Sequence, residues 1–237
     1  MKANHLFSFG FDPALLIRDY EQVTTSEVKH HNVAFYDGEW KGLAIRKPTN
    51  VFVELDSGSM ESSEFEDTPA SLKTPYIQQV LAFFQCEKTS VRLMNLTAGS
   101  LIKPHSDERL GYFDGFVRLH VPIITNDHVE FIADGESLKM LPGQCWFADF
   151  SKTHSVANRG TEDRIHLIID LKVNEWLTEL FVKEGILAEA EEAPDPMDAM
   201  SEESKLATVR ALLEQGTQAS KSLAQGIIDR YQLDITL

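Results

Sequence analysis

The sequence predicts a mainly β protein: a double-sheet jelly-roll core with flanking N-terminal helices and a small C-terminal helical region. Between Thr89 and Lys172, apolar and polar residues alternate in short segments, which turn sequences such as Asp134-Gly135 and Leu141-Pro142-Gly143 separate. On both sides of this stretch the apolar spacing becomes helical. Many short alternating segments at this spacing are typical of sandwiches and barrels, and a jelly roll closes such a chain compactly.

Residues 1–88 are predicted to form an N-terminal α/β part that supports the core. The pair Asp12-Pro13 is a helix-start signal, so DPALLIRDYEQV is predicted as a short helix. Strands are predicted at Gly42–Arg46 and Val51–Leu55, followed by a loop. A longer helix is predicted over Ser71–Cys86, where apolar side chains lie along one side.

Residues 89–172 are predicted to form the jelly-roll core. Its predicted strands are VRLMNL, FVRLHVPI, HVEFIA, SLKML, QCWFADF, HSVAN and RIHLIIDL. If Asn158-Arg159-Gly160 forms a three-residue hairpin turn, residue 154 lies opposite residue 164. If the two flanking segments belong to opposite sheets instead, alternation still aims both side chains inward.

Residues 173–237 are predicted to form the C-terminal helical region with an acidic linker. NEWLTELFVKEG is predicted as a helix that ends at Gly185, and two more helices are predicted over Glu203–Gln215 and Ala219–Tyr231. The apolar stripe of these last two helices needs a partner. Either they cover the mouth of the barrel or they form the contact of a homodimer.

The charge of the chain argues against a nucleic-acid partner. The net charge is −15, and residues 174–204 contribute −9 of it through ten acidic residues and one lysine. Phosphate binding needs concentrated Lys and Arg instead. No stretch approaches the roughly 20 apolar residues that span a bilayer, and no signal peptide is evident. Cys86 and Cys145 are predicted to be buried, reduced thiols, so we expect a cytoplasmic protein without a membrane partner.

A His-x-Asp triplet and a later histidine predict a metal site. His105 and Asp107 are two residues apart, so in a strand they point the same way, and His154 follows in a later strand. Two imidazoles and a carboxylate on one face of Fe(II) leave the remaining positions open for a chelating acid and for dioxygen. The alternative for His154 is a hydrogen-bonded histidine of the core or rim.

Three further polar residues occur in predicted strands. Arg164 precedes an apolar strand, where a buried cation needs an anionic partner, unless it pairs at the surface with a neighbouring acid. Arg118 and His120 project from one face of a strand. They either meet a carboxylate near the metal or form a solvent-facing polar stripe.

These segments together resemble the aspartyl/asparaginyl β-hydroxylase family of Fe(II)/2-oxoglutarate-dependent oxygenases, nearest the bacterial free-proline hydroxylase branch. The resemblance covers about Val91 to Leu171 and rests on VRLMNLTAGSLIKPHSD, RLHVPIITN, VEFIADGE, LPGQCWFADFSKTHSVANRG and DRIHLIID. It implies a double-stranded β-helix core and Fe(II) held by His105, Asp107 and His154. It also implies that Arg164 binds the distal carboxylate of 2-oxoglutarate. Arg118 and His120 match the family's RxH element, expected close to the carboxylate of the co-substrate or the substrate.

The resemblance implies a dioxygenase that uses Fe(II), 2-oxoglutarate and O2 to hydroxylate a small metabolite such as a free amino acid or derivative. Succinate and CO2 would be the co-products. Because the chain keeps Asp107 and has Met94 near a serine position of the animal peptide-modifying members, it departs from that branch. The alternatives are a β-hydroxylase of Asp/Asn side chains in peptides or proteins and a non-catalytic cupin-like metal-binding module.

Specificity is expected to come from loops and aromatic residues around the cavity. Arg109 and Trp146 are the predicted substrate contacts. Arg109 would bind a carboxylate, or else pair with Asp114 at the surface.

Overall fold

In the computed structural model, the described residues are 1–49, 55, 64–188 and 196–234. They fall into two compact units, Met1–Ala188 and Glu189–Leu237. Within the described part of the chain, no helix is long and apolar enough to cross a membrane. The three-part division predicted from the sequence stays a prediction.

The first unit contains thirteen described strands in two antiparallel sheets, so the predicted mainly β fold is confirmed. The strands are β1 (Asn4–Gly10), β2 (Val28–Lys29), β3 (Tyr36–Asp37), β4 (Trp40–Pro48), β5 (Phe65–Asp67), β6 (Lys88–Leu96), β7 (Leu101–His105), β8 (Phe116–Ile124), β9 (Val129–Ala133), β10 (Glu136–Ser137), β11 (Gln144–Ala148), β12 (His154–Asn158) and β13 (Arg164–Lys172).

The larger sheet has the order β1-β11-β8-β13-β6-β4-β2, with β5 paired to β4. The smaller sheet has the order β10-β9-β12-β7-β3. Strands that are close in sequence therefore alternate between the two sheets, as in a jelly roll.

Three helices cover the outer face of the larger sheet: α1 (Pro13–Glu21), α2 (Pro75–Phe83) and α3 (Glu175–Lys183). Apolar residues of these helices share one buried cluster with alternate residues of the sheet. The sheet contributes Val91, Leu93, Val117, Leu119, Val121, Leu167 and Ile169, and the helices contribute Leu16, Ile77, Val80, Leu177 and Phe181. Because strand side chains alternate between faces, the other set, which includes Arg118 and His120, points toward the smaller sheet.

A second apolar cluster lies between the two sheets. Leu96, Phe116 and Ala148 of the larger sheet join Ile102, Phe131, Ala133 and Val156 of the smaller sheet. The inner face of the larger sheet is thus partly apolar and partly charged. The charged part faces a cavity between the two sheets.

The helices differ in detail from the prediction. The predicted 71–86 helix begins only at Pro75, after a 3-10 turn over Ser71–Lys73. Thr74 has φ −123° and ψ 62°, because a residue before proline avoids the helical region. The α1 prediction is confirmed, with Asp12 Oδ1 accepting from the backbone of Ala14 and Leu15 at 2.9 and 3.3 Å.

One strand prediction is wrong, one of two alternatives for a turn does not hold, and one strand prediction lies mostly outside the described residues. In SLKML only Ser137 belongs to a strand, since Leu138 and Met140 reach the inner cluster from irregular backbone. The turn at 158–160 does not form a hairpin, because β12 pairs with β7 and β9 while β13 pairs with β6 and β8. The opposite-sheet alternative is correct. Of the predicted strand Val51–Leu55, only Leu55 is described, in a turn.

The second unit contains α4 (Glu202–Glu214) and α5 (Gln218–Tyr231). Each has a side-chain cap: Ser201 accepts from the Ser204 amide and Thr217 from the Ser220 amide. Val209, Ala224, Ile227 and Leu233 form its buried cluster. The two helices predicted from the apolar spacing are confirmed to within a residue.

Candidate metal centre

Three predicted ligands converge at one end of the smaller sheet. His105 is the last residue of β7, Asp107 follows two residues later, and His154 begins β12. Since β12 pairs antiparallel with β7, His154 lies directly opposite His105. The candidate ligand atoms of the three side chains all lie within 4.8 Å of one another. His105 Nε2 is 3.7 Å from Asp107 Oδ1.

Backbone carbonyls orient both imidazoles. His105 Nδ1 is 2.7 Å from the Lys103 carbonyl, and His154 Nδ1 is 3.1 Å from the Lys152 carbonyl. A carbonyl only accepts, so each Nδ1 carries the hydrogen and each Nε2 presents a lone pair. Metal-binding histidines in proteins are held by this kind of contact. Burial lowers the pKa of His154 to about 4, which keeps the ring neutral and able to ligate.

One carboxylate oxygen of Asp107 accepts a hydrogen bond, and the other lies toward the histidines. Oδ2 accepts a hydrogen bond from Arg118 Nη1, which leaves Oδ1 as the oxygen nearest His105. Burial by itself would raise the pKa of Asp107, but the positive charge of Arg118 beside it outweighs burial and lowers the pKa. Two neutral imidazoles and an ionised carboxylate form a donor set that fits a divalent transition-metal ion such as Fe(II).

The three ligands border a cavity of about 410 Å³ between the two sheets. Its wall combines charged groups with aromatic rings. The lining residues include Arg92, Arg118, His120, Phe131, Phe150 and Arg164. The volume lies within the range of small-ligand sites, roughly 300–1,000 Å³.

Arg164 is a buried cation that has no acidic partner among the described residues. It is 1% exposed, and the one side-chain hydrogen bond described for it runs from Nη2 to His166 Nδ1 at 2.7 Å. Its Nε has no partner, and its guanidinium carbon lies 5.5 Å from the centroid of the Phe131 ring. Burial lowers the pKa of Arg164 to about 9. A desolvated guanidinium at a cavity wall fits an anionic ligand.

Arg118 and His120 lie on the inner face of β8, so the solvent-facing alternative is wrong. Both are buried, at 9% and 4% exposed. Arg118 already contacts two carboxylates, those of Asp107 and Asp170. His120 Nδ1 lies 3.2 Å from His166 Nδ1. A contact of Arg118 and His120 with a ligand carboxylate stays a prediction.

The two predicted substrate contacts occupy different places. Arg109 is exposed, has φ 61° and lines the cavity. Trp146, on β11, is not among the described residues that line the cavity, and its Nε1 donates to Gln144 Oε1 at 2.9 Å. The role of each in substrate binding stays a prediction.

Sequence reasoning missed further polar residues on the inner face. Asp170 lies opposite Arg118 in the β13–β8 pair, and Arg92 lies opposite Ile168 in the β13–β6 pair. All three charged residues are buried. Alternation within RIHLIID and VRLMNL carries the signal, because it puts Asp170 on the face of Arg164 and Arg92 on the face of Met94.

Comparisons with known proteins agree with these motifs. The model of the family described as aspartyl/asparaginyl beta-hydroxylase matches residues 16–173. An L-proline cis-4-hydroxylase of Rhizobium meliloti (strain 1021) is 28% identical over 174 residues, which are 73% of this chain. The match spans 61% of the length of that relative.

Two of the solved structures to which the chain shows similarity are a hydroxylase and an oxygenase family member. A prolyl-4-hydroxylase of Pseudomonas putida is 12% identical with a TM-score of 0.45, over 73% of this chain and 93% of that chain. A 2OG-Fe(II) oxygenase family oxidoreductase of Burkholderia pseudomallei is 13% identical with a TM-score of 0.42, over 62% and 73%.

Proposed function

Because the chain belongs to the aspartyl/asparaginyl β-hydroxylase family, we propose that it is an Fe(II)- and 2-oxoglutarate-dependent dioxygenase that hydroxylates a small free metabolite. One observation carries the proposal: the buried Arg164, without an acidic partner among the described residues, lines the same cavity as the His105, Asp107 and His154 cluster. A metal site and an anion site in one cavity are what a chelating dicarboxylate requires.

In this proposal, His105, Asp107 and His154 hold Fe(II), and Arg164 binds the distal carboxylate of 2-oxoglutarate. When bound, iron and 2-oxoglutarate supply the oxidising chemistry, with O2 as oxidant and succinate and CO2 as co-products. The protein itself orients the metal ligands and shields the site. Its carbonyls at residues 103 and 152 fix the two imidazoles, and the Asp107 charge offsets part of the metal's charge.

Aromatic rings form part of the wall in the inner part of the cavity. The Phe150 ring stacks on His120 at 4.9 Å between centroids, and Phe131 lies under the Arg164 guanidinium. Both rings are 2% exposed. Burial of Arg164 strengthens its pairing with a carboxylate, because the effective dielectric is low in a protein interior.

A free amino acid or derivative is the substrate class that we favour. A proline hydroxylase is among the relatives, the cavity is of small-ligand size, and the Asp107 ligand is retained. Arg109 at the cavity edge and Trp146 nearby on β11 are the proposed substrate contacts, and Arg118 and His120 are proposed to lie close to the co-substrate or substrate carboxylate.

The three parts of the chain have separate roles in this proposal. Residues 89–172 would carry the chemistry, 1–88 would support them, and 173–237 would form an accessory helical region. The exposed Leu213 and Leu223, at 36% and 58%, support a homodimer contact through α4 and α5. The buried free thiols of Cys86 and Cys145 support a cytoplasmic location.

Succinate formation tests the proposal. The protein is loaded anaerobically with Fe(II) and 2-oxoglutarate, incubated with a library of free amino acids and short peptides, and exposed to air. We expect free amino acids or their derivatives to stimulate succinate release, and a His105→Ala variant to show no stimulation. Stimulation by peptides alone would select protein or peptide hydroxylation instead. Binding of 2-oxoglutarate without stimulated succinate would indicate a non-catalytic module.

A further inference from the structure

Asp170 is a fully buried carboxylate that binds two arginines. It lies on β13, is 0% exposed, and faces the cavity side of the larger sheet. Arg118 donates to it from Nε at 2.6 Å and from Nη2 at 2.9 Å, and Arg92 donates from Nη2 at 2.8 Å. A buried acid is stable only with such compensation, and here three N–H groups provide it.

The sheet register holds the pair of Asp170 and Arg118 in place. The two residues are direct neighbours on β13 and β8, which share one of the longest ladders of the fold. The two N–H groups of Arg118 approach both oxygens of Asp170, a bidentate arrangement that fixes the plane of the guanidinium. The third nitrogen, Nη1, is thereby directed at Asp107.

The bond from Arg118 selects which oxygen of Asp107 is available. Nη1 engages Oδ2, and Oδ1 is left 3.7 Å from His105 Nε2. A carboxylate that offers one oxygen takes one coordination position, whereas one that offers both would close a position needed for other ligands. The orientation of Arg118 therefore bears directly on the metal site.

Charge balance gives Asp170 a second influence on Asp107. Arg92 and Arg118 share the Asp170 carboxylate. Among the described residues, the other acid that contacts Arg118 is Asp107. If position 170 became neutral, two buried guanidiniums would lose their common anion. Both would then be drawn toward Asp107 and compete with a metal for its oxygens.

We propose that Asp170 is a positioning residue that, through Arg118, holds Asp107 with Oδ1 directed at the metal. The inference rests on the proposed metal site and adds a residue that is not among the described residues lining the cavity. Contacts that orient a metal ligand typically contribute 10- to 100-fold in metal affinity, so the effect of Asp170 is measurable.

Titration of the full-length protein with Co(II) tests this without any turnover. We expect Asp170→Asn, which keeps the shape and removes the charge, to raise the dissociation constant for Co(II) about 10- to 100-fold. The visible spectrum of the bound Co(II) should also change, because a displaced carboxylate alters the ligand geometry. An unchanged affinity and spectrum would overturn the proposal.

Asp19→Asn is the matched control for a merely structural effect. Asp19 is also a buried carboxylate, 1% exposed, but it accepts from the backbone of Tyr76 and Ile77 on the outer side of the sheet. We expect this variant to lose stability and to bind Co(II) like the parent. Equal losses of affinity in Asp19→Asn and Asp170→Asn would overturn the proposal.

A charge-balanced pair of variants covers the case in which Asp170→Asn does not fold. Arg92→Gln removes one cation and leaves the Asp170–Arg118–Asp107 contacts in place, so the Co(II) affinity of this single variant is the reference for the double variant. Adding Asp170→Asn to it should then raise the dissociation constant as before, and no further rise would overturn the proposal. If the parent itself fails to bind Co(II), the metal site of the proposed function is wrong, which is a different outcome.

Discussion

Arg164 donates a hydrogen bond from Nη2 to Nδ1 of His166, 2.7 Å away, two residues along the same strand. A guanidinium only donates, so His166 Nδ1 has no hydrogen and the neutral ring carries it on Nε2. Burial, with the Arg164 charge second, lowers the pKa of His166 well below its usual value. Arg164 is therefore held by a neutral partner and keeps its full charge for an anionic ligand.

Replacement of Arg164 should separate ligand binding from folding stability. We expect Arg164→Met to weaken 2-oxoglutarate binding by at least about 30-fold, since loss of one partner of a buried charge pair costs 2 kcal/mol or more. The ligand-free variant should be at least as stable as the parent, because a desolvated cation is replaced by an apolar side chain. Calorimetric titration in the presence of Co(II) and chemical unfolding measure the two effects.

Arg159→Met is the control for that experiment. Arg159 forms an exposed pair with Glu130 at 3.4 Å, and its side chain is 70% exposed. Its replacement should leave 2-oxoglutarate binding unchanged. If Arg164→Met binds 2-oxoglutarate as tightly as the parent, the assigned role of Arg164 is wrong.

Metal binding should stabilise the fold through His154. With free Co(II) at 100 times its dissociation constant, we expect the free energy of unfolding to rise by about 2.7 kcal/mol, and EDTA to reverse the gain. His154→Ala should abolish the stabilisation, whereas His128→Ala, at an exposed histidine outside the cluster, should retain it. Denaturant unfolding with and without Co(II) measures this. Full stabilisation of His154→Ala would show that the metal binds elsewhere.

The Asp107 carboxylate should make the reaction a hydroxylation even when halide is present. As a metal ligand it would occupy the coordination position that a halide would need. We therefore expect product formed in chloride or bromide buffer to carry a hydroxyl group and no halogen, as it does in sulfate buffer. Mass spectrometry of the product distinguishes the two. A chlorinated product would contradict the assignment of Asp107 as a ligand.

Asp19 should stabilise the junction between α1 and α2. Its Oδ2 accepts from the amides of Tyr76 and Ile77, at 2.6 and 2.9 Å, at the start of α2. Hydrogen bonds to a charged group contribute more than neutral ones, so Asp19→Asn should lower the free energy of unfolding by about 1–2 kcal/mol. Chemical unfolding measures the loss.

Asp12→Asn provides the comparison at an exposed cap. Asp12 caps α1 through Oδ1, and asparagine caps helices about as well as aspartate, so stability should change little there. Equal losses in the two variants would show that burial of Asp19 contributes nothing.

Alternation along the chain was sufficient to predict most strands of the core. The segments around residues 116–123, 154–158 and 164–171 appear as β8, β12 and β13. β1 was not predicted, although Phe7 and Phe9 are two residues apart there, on either side of Ser8. Seven residues at the start of a chain give too short a signal to distinguish an edge strand from a loop.

The pairing of strands was less predictable than their existence. The turn at 158–160 suited a hairpin, yet β12 and β13 join different sheets. A short turn sequence determines only local backbone geometry, whereas the choice of sheet depends on which distant strands bury the apolar faces. The side chains of His154 and Arg164 were expected to point inward on either arrangement.

By itself, the sequence determined which residue types were present for the site and at what spacing: the histidines, the carboxylate and the arginine of the inner face. Tertiary structure alone decided the connections among them. The pairing of Asp170 with Arg118, and of Arg118 with Asp107, joins residues 52 and 11 positions apart. Hydrogen bonds of this kind depend on the register of neighbouring strands and on shared burial, which no local pattern records.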